Sequence, residues 1–121
     1  MENLAELIDG YFAAWNETDA EQRRGMITRI WSDNASYLDP LMQGVGHAGI
    51  DTMIQDVQER FVGHRFHRTS DLDVHHGCIR FSWKLAPEGG PTLVAGTDFG
   101  VVAADGRLQT ITGFFDQVPS H

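Results

Sequence analysis

Cysteine is almost absent: Cys78 is the only one in 121 residues. That excludes an intrachain disulfide and a cysteine zinc site, and it suits a reducing compartment. Basic residues are few, with 9 Lys and Arg against 17 Asp and Glu and a formal net charge of −8. With no block of like charge, this balance argues against nucleic acid or an anionic membrane as partner and favours a neutral or cationic small molecule. No apolar run approaches the ~18 residues of a membrane helix. The opening MENLAELIDG carries acids where a signal peptide needs bases. A soluble, cytoplasmic protein is expected. Neither a metal nor a cofactor is expected. His64 and His67, or His75 and His76, fall near strand ends and turns, and on a strand neither spacing brings two imidazoles to one side. The glycine-bearing segments lack phosphate-loop spacing.

What is present is 41% apolar residues, enough for one domain with a core spanning 1–121. Asn3 and Glu6 have capping-box spacing, and Leu4, Leu7, Ile8, Tyr11 and Trp15 recur on one helical face, predicting a first helix that ends near Asn16. Thr18 with Glu21 repeats the start signal before Met26, Ile27, Ile30 and Trp31, a second helix. NASYLD reads as extended and stops at Pro40, whose ring biases Asp39 out of the helical region. PLMQGVG is a loop, and Ile50, Met53, Ile54, Val57 and Phe61 mark a third helix. After Gly63 come four strand runs, separated by turn signals at His76-Gly77, Pro87–Pro91 and Asp105-Gly106. Only VPSH reads as a tail. Helices followed by an antiparallel meander indicate an α+β domain, with helices on one face of a curved sheet.

The run VAGTDFGVV sets Asp98 between Gly96 and Gly100. A two-residue loop at Asp105-Gly106 pairs Ala104 with Arg107, Asp98 with Gly113, Gly100 with Ile111 and Gly96 with Phe115. Three glycines around one acid suggest that something approaches closely there, so the expectation is a pocket with Asp98 at its floor and Ile111 and Phe115 as walls. At the preceding hairpin, His76-Gly77 pairs Asp73 with Arg80 and Leu72 with Phe81. The register of the next pair stays open by one residue. One choice sets Asp98 with Phe81 and Trp83; the other sets it beside Arg80 as an ordinary ion pair.

An inward Tyr11, the segment SYLDP, a loop ending in Gly46, the strand motif FSW, then GTDFG, DGRL and GFFD together resemble the nuclear transport factor 2-like superfamily over nearly the whole chain. The resemblance implies a cone-shaped curved antiparallel sheet packed on three N-terminal helices, a cavity inside, and a homodimer through the sheet. Function varies widely on this fold. A closer similarity is to ketosteroid isomerase. It places Asp39 at that family's proton-shuttling aspartate, Asp98 at its oxyanion-hole aspartate and Tyr11 at its oxyanion-hole tyrosine. Trp31 and Ile54 stand where that family has supporting tyrosines, and Phe115 holds its last aromatic position. SnoaL-like polyketide cyclases and limonene epoxide hydrolases share the fold, but RFS stands where the hydrolase pattern needs an acid, which counts against epoxide opening.

The resemblance implies proton transfer beside a carbonyl: Asp39 as base, with Tyr11 and a neutral Asp98 donating to the enolate oxygen. This division of labour is known from ketosteroid isomerase itself. Of the tryptophans, Trp15, Trp31 and Trp83 are candidates to line the site, joined by Phe61. Met42 and Val45 would close its mouth. The ligand expected is a hydrophobic small molecule. Taken singly, Asp39 also reads as a turn initiator and Tyr11 as a core tyrosine. Two other functions compete, a noncatalytic small-molecule-binding domain and a scaffold that only dimerises.

Overall fold

A computed structural model describes residues 4–119; Asn3, with its expected cap, and the last two residues of VPSH lie outside them. The elements are α1 (Leu4–Asn16), α2 (Ala20–Ile30), β1 (Trp31–Leu38), β2 (Gln43–Val45), α3 (Gly46–Arg60), β3 (His64–Arg68), β4 (Asp73–His75), β5 (Cys78–Pro87), β6 (Val94–Val102) and β7 (Leu108–Gln117). In α1 the buried face is Leu7, Ile8, Tyr11 and Trp15, spaced as the helical period requires. The cap of α2 is Asp19, one residue past the expected Thr18, with its carboxylate accepting from the Gln22 amide at 2.9 Å. Trp31, expected to close that helix, has extended backbone and opens β1.

The sheet order is β2-β1-β7-β6-β5-β3, with β4 also pairing β5. Every ladder is antiparallel except β1–β7, which is parallel and makes the curled sheet a mixed one. No tight turn joins β1 to β7, so hairpin geometry does not set their relative direction. The segment expected as a plain loop contributes β2, which folds back on β1 and holds Asp39 at the bend. α3 packs on β1 and β2, and α1 on α2 and β3. Among the described residues, no helix is long and apolar enough to cross a membrane.

The His76-Gly77 hairpin forms with both residues at positive φ, and Asp73 faces Arg80. The β4–β5 ladder stops at Asp73, so the expected Leu72–Phe81 pair is not part of it. At the next hairpin the expected register and its expected cause come apart. Asp98 does face Gly113, Gly100 faces Ile111 and Gly96 faces Phe115. The loop, however, is not a two-residue turn: the Gly106 amide donates to Ala103 and the Ala103 amide to Arg107. This longer turn alone would shift the pairing by one. A bulge between Val101 and Val102 shifts it back.

Candidate active site

Asp98 is only 2% exposed. Phe81 faces it on β5, whereas Arg80 faces Phe99 and pairs with Asp73. The Arg80–Asp98 ion pair therefore does not form, because side chains alternate and Arg80 points to the other side of the sheet. Instead Tyr11 Oη donates to Asp98 Oδ2 at 2.6 Å, and Trp83 Nε1 donates to Oδ1 at 2.9 Å. Burial pushes the Asp98 carboxyl up to about 6; the Tyr11 and Trp83 hydrogen bonds pull it down, and Asp39 adds a further upward push. Burial, then the Asp98 charge, holds the Tyr11 phenol well above its ordinary value.

Asp39 occupies the bend between β1 and β2. Its Oδ1 accepts the amides of Leu41 at 2.8 Å and Met42 at 3.0 Å, a side-chain-capped turn. Its Oδ2 accepts from Tyr37 Oη at 2.7 Å. Asp39 thus caps the turn while its carboxylate stays buried. Tyr37 was absent from the sequence-derived site. The period-two alternation of ASYLD, which buries Ala35, Tyr37 and Asp39, is the signal that would have found it. Burial, then Asp98 and Asp39, raises the Tyr37 phenol far above its ordinary range.

The glycines bring these groups together, though not by leaving room for a guest as expected. A Cβ on Gly113 would lie 2.9 Å from Asp98 Oδ1 and 3.2 Å from both Tyr37 Oη and Asp39 Cβ. Bare backbone there lets the Tyr11–Asp98 and Tyr37–Asp39 pairs approach from two sides. The space beside Gly96 holds the Trp83 indole, and that beside Gly100 holds Ile111 and Ile79. The occupants are the protein's own side chains.

Both pairs border a cavity of about 420 Å³. Trp15, Phe66, Trp83 and Phe115 form aromatic wall. Met42, Phe61 and the exposed Leu41 lie along it too, as do Val118 and Pro119 from the segment expected to be only a tail. Trp31 and Ile111 do not line it. Trp31 is packed in the core with its ring centroid 5.8 Å from that of Tyr11, and Ile111 fills the space at Gly100. Val45 is 64% exposed on β2 and stays outside the lining. Away from the cavity, His75 and His76, expected to diverge, approach to 3.2 Å between Nδ1 atoms because His76 takes a left-handed turn conformation. No group of three or more potential ligands surrounds a metal position among the described residues.

Comparison with protein-family models finds no match, and comparison with curated proteins finds none. Solved structures do match. A nuclear transport factor 2-like protein of unknown function from Exiguobacterium superposes with a TM-score of 0.73 at 16% identity, covering 93% of this chain and 99% of that one. A provisionally assigned polyketide cyclase from Sinorhizobium meliloti gives 0.70 at 14%, covering 89% and 93%. These define the class of fold, the nuclear transport factor 2-like α+β cone. A provisionally assigned isomerase of the SnoaL-like family from Agrobacterium tumefaciens reaches a TM-score of 0.89 at 39% identity, covering 93% of this chain and 97% of that one. The chain belongs to the SnoaL-like family.

Proposed function

We propose that the chain is a cofactor-independent isomerase or cyclase that moves a proton at a carbon next to the carbonyl of a hydrophobic small molecule. The observation that carries this reading is the pair of buried carboxylates, each bonded to its own phenol, at one apolar cavity. The assigned activities of the Agrobacterium and Sinorhizobium proteins point the same way. Asp39 is the base: it takes the C–H proton, the electron pair moves into an enolate, and the proton returns to another carbon. Tyr11 and Asp98 hold the enolate oxygen. Asp98 does so in its protonated form, which an apolar substrate favours by completing its burial. Trp15, Met42, Phe61, Trp83 and Phe115 shape the substrate's surroundings. With a net charge of −8, the reading assigns no nucleic-acid or membrane partner, and it assigns a cytoplasmic location. Phe99 and Phe114 on the outer sheet face, 41% and 58% exposed, would bury themselves in a homodimer.

The test follows conversion of a small β,γ-unsaturated cyclic ketone to its conjugated isomer by ultraviolet absorption. Asp39→Asn is expected to lose on the order of 10²–10⁴ in turnover, and Tyr11→Phe on the order of 10²–10³. Unchanged turnover in Asp39→Asn rejects the assignment. A second reading, a noncatalytic binding domain, draws on one observation: Tyr11, Tyr37 and Trp83 already give their donors to the two acids, leaving none of them for an oxyanion. It predicts ligand binding with no conversion.

A further inference from the structure

We infer that the cavity takes a hydrophobic ligand carrying a protonated amine, with the ammonium held by Asp98 and Asp39 and flanked by aromatic rings. The inference concerns what the cavity binds and stands whether or not a proton is transferred there. Its first support is the direction of the hydrogen bonds. Tyr11 Oη and Trp83 Nε1 donate to Asp98, while Tyr37 Oη and the amides of Leu41 and Met42 donate to Asp39. A carboxylate has about four acceptor positions, so both acids retain acceptor capacity after these bonds. With Asp98 ionised, a guest that donates fills these positions. A carbonyl compound brings only an acceptor and needs Asp98 protonated, whereas an ammonium brings up to three N–H groups, as a lysine side chain does.

Charge points the same way. The cavity is bordered by two carboxylates and, among the described residues, by no Lys, Arg or His. The arginines with acidic partners find them elsewhere: Arg23 and Arg24 with Asp51, Arg80 with Asp73, and Arg107 with Asp33 and Asp105. Buried carboxylates ordinarily acquire a counter-ion, and here the ligand supplies it. The walls suit the same guest, since Trp15, Phe66, Trp83 and Phe115 line the cavity, and a cation over an aromatic face is attracted by the ring quadrupole.

Calorimetric titration of the full chain at neutral pH with naphthylmethylamine, naphthylmethanol and acetonaphthone tests this, because the three share one apolar body and differ in the polar group. The amine is expected to bind about tenfold more tightly than either neutral compound. Asp98→Asn and Asp39→Asn, each checked for native circular dichroism, should each reduce that advantage. Equal or tighter binding of the alcohol or the ketone to the wild-type chain overturns the inference without needing any variant. So does an amine advantage that survives both substitutions, since it would reflect the general negative charge of the surface. Turnover of the unsaturated ketone is a separate measurement, so failure of the proton-transfer reading is distinguishable from failure of this one.

Discussion

The Trp83 indole donates to the Asp98 carboxylate from the neighbouring strand, at 2.9 Å. Trp83 faces Gly96 in the ladder, two residues from Asp98, so the contact is diagonal and within reach of a long aromatic side chain. Gly96 has no Cβ to obstruct the ring. Acid, indole and glycine therefore form one unit, and Tyr11 from α1 completes it by bonding the other carboxylate oxygen. A carboxylate held at both oxygens keeps a single orientation toward the cavity, which is what a reacting or ligand-binding group needs.

Burial of that carboxylate, only partly offset by its two hydrogen bonds, carries a stability cost at neutral pH. The Asp98 carboxyl rises from an ordinary 3.8 to about 6, so between those values the folded chain keeps a proton that the unfolded chain has released. Stability then falls as pH rises through this window and levels off above it. The whole effect is on the order of 3 kcal/mol. Asp98→Asn should remove it: urea denaturation should find the variant more stable than wild type at neutral pH, with the difference shrinking as pH falls from about 6 to about 4. A wild-type advantage at neutral pH would contradict the account.

Under the proton-transfer reading Asp98 acts protonated in the enzyme that meets substrate. The pH dependence of kcat/KM reports the free enzyme, so kcat/KM should fall as pH rises above about 6. A profile that instead climbs to a plateau through that value would make Asp98 the base.

Adding a methyl at the strand glycines should destabilise in a set order. At Gly96 it would meet the Phe114 carbonyl at 2.5 Å as well as the Trp83 ring, neither of which yields easily. At Gly100 the nearest obstacle is the end of the Ile111 side chain, at 2.7 Å. Denaturant midpoints should therefore drop further for Gly96→Ala than for Gly100→Ala, with both in or above the ~1–3 kcal/mol range of overpacking. Gly25, inside α2 with no atom within 4 Å of an added Cβ, should gain roughly 0.5–1 kcal/mol on Gly25→Ala.

Arg23 is 1% exposed and ties the helices together, with Nε on Asp51 at 2.7 Å and Nη1 on Gln58 Oε1 and the Glu17 carbonyl, both at 3.0 Å. Among the described residues, Arg23→Ala leaves Asp51 with only Arg24 at 4.0 Å and the Glu17 carbonyl with only Gln58 Nε2, and it removes the Arg23 donor from Gln58 Oε1. A loss of about 3–5 kcal/mol is expected in thermal or chemical unfolding. An effect below about 1 kcal/mol would mean that water replaces the guanidinium.

Much of this fold is legible in the chain because its signals are local. Leu7, Ile8, Tyr11 and Trp15 announce α1 by period, and His76-Gly77 announces a hairpin by its demand for two positive φ angles. The Asp98–Gly113 pairing was legible too, but only because a longer turn and a bulge offset each other. Arg23 gave no sign of burial, since an arginine in a polar helix ordinarily faces water. Tyr37 stands two residues before Asp39, so once Asp39 is turned inward the strand alternation turns Tyr37 inward with it; the segment alone does not say which of its faces that is.

Sequence by itself determined the three helices and the run of strands after the third, the inward faces of α1 and α3, and the presence of Tyr11, Asp39 and Asp98 on segments that a cone-shaped fold gathers. Those properties follow from periodicity and turn chemistry, which act over a few residues. Tertiary structure alone decided that Asp98 meets Trp83 and Tyr11 instead of Arg80, that Tyr37 joins Asp39, and that Trp31 and Ile111 pack behind the cavity. Each of these depends on how separate elements pack and on strand register, where a shift of one residue sends a side chain to the opposite face.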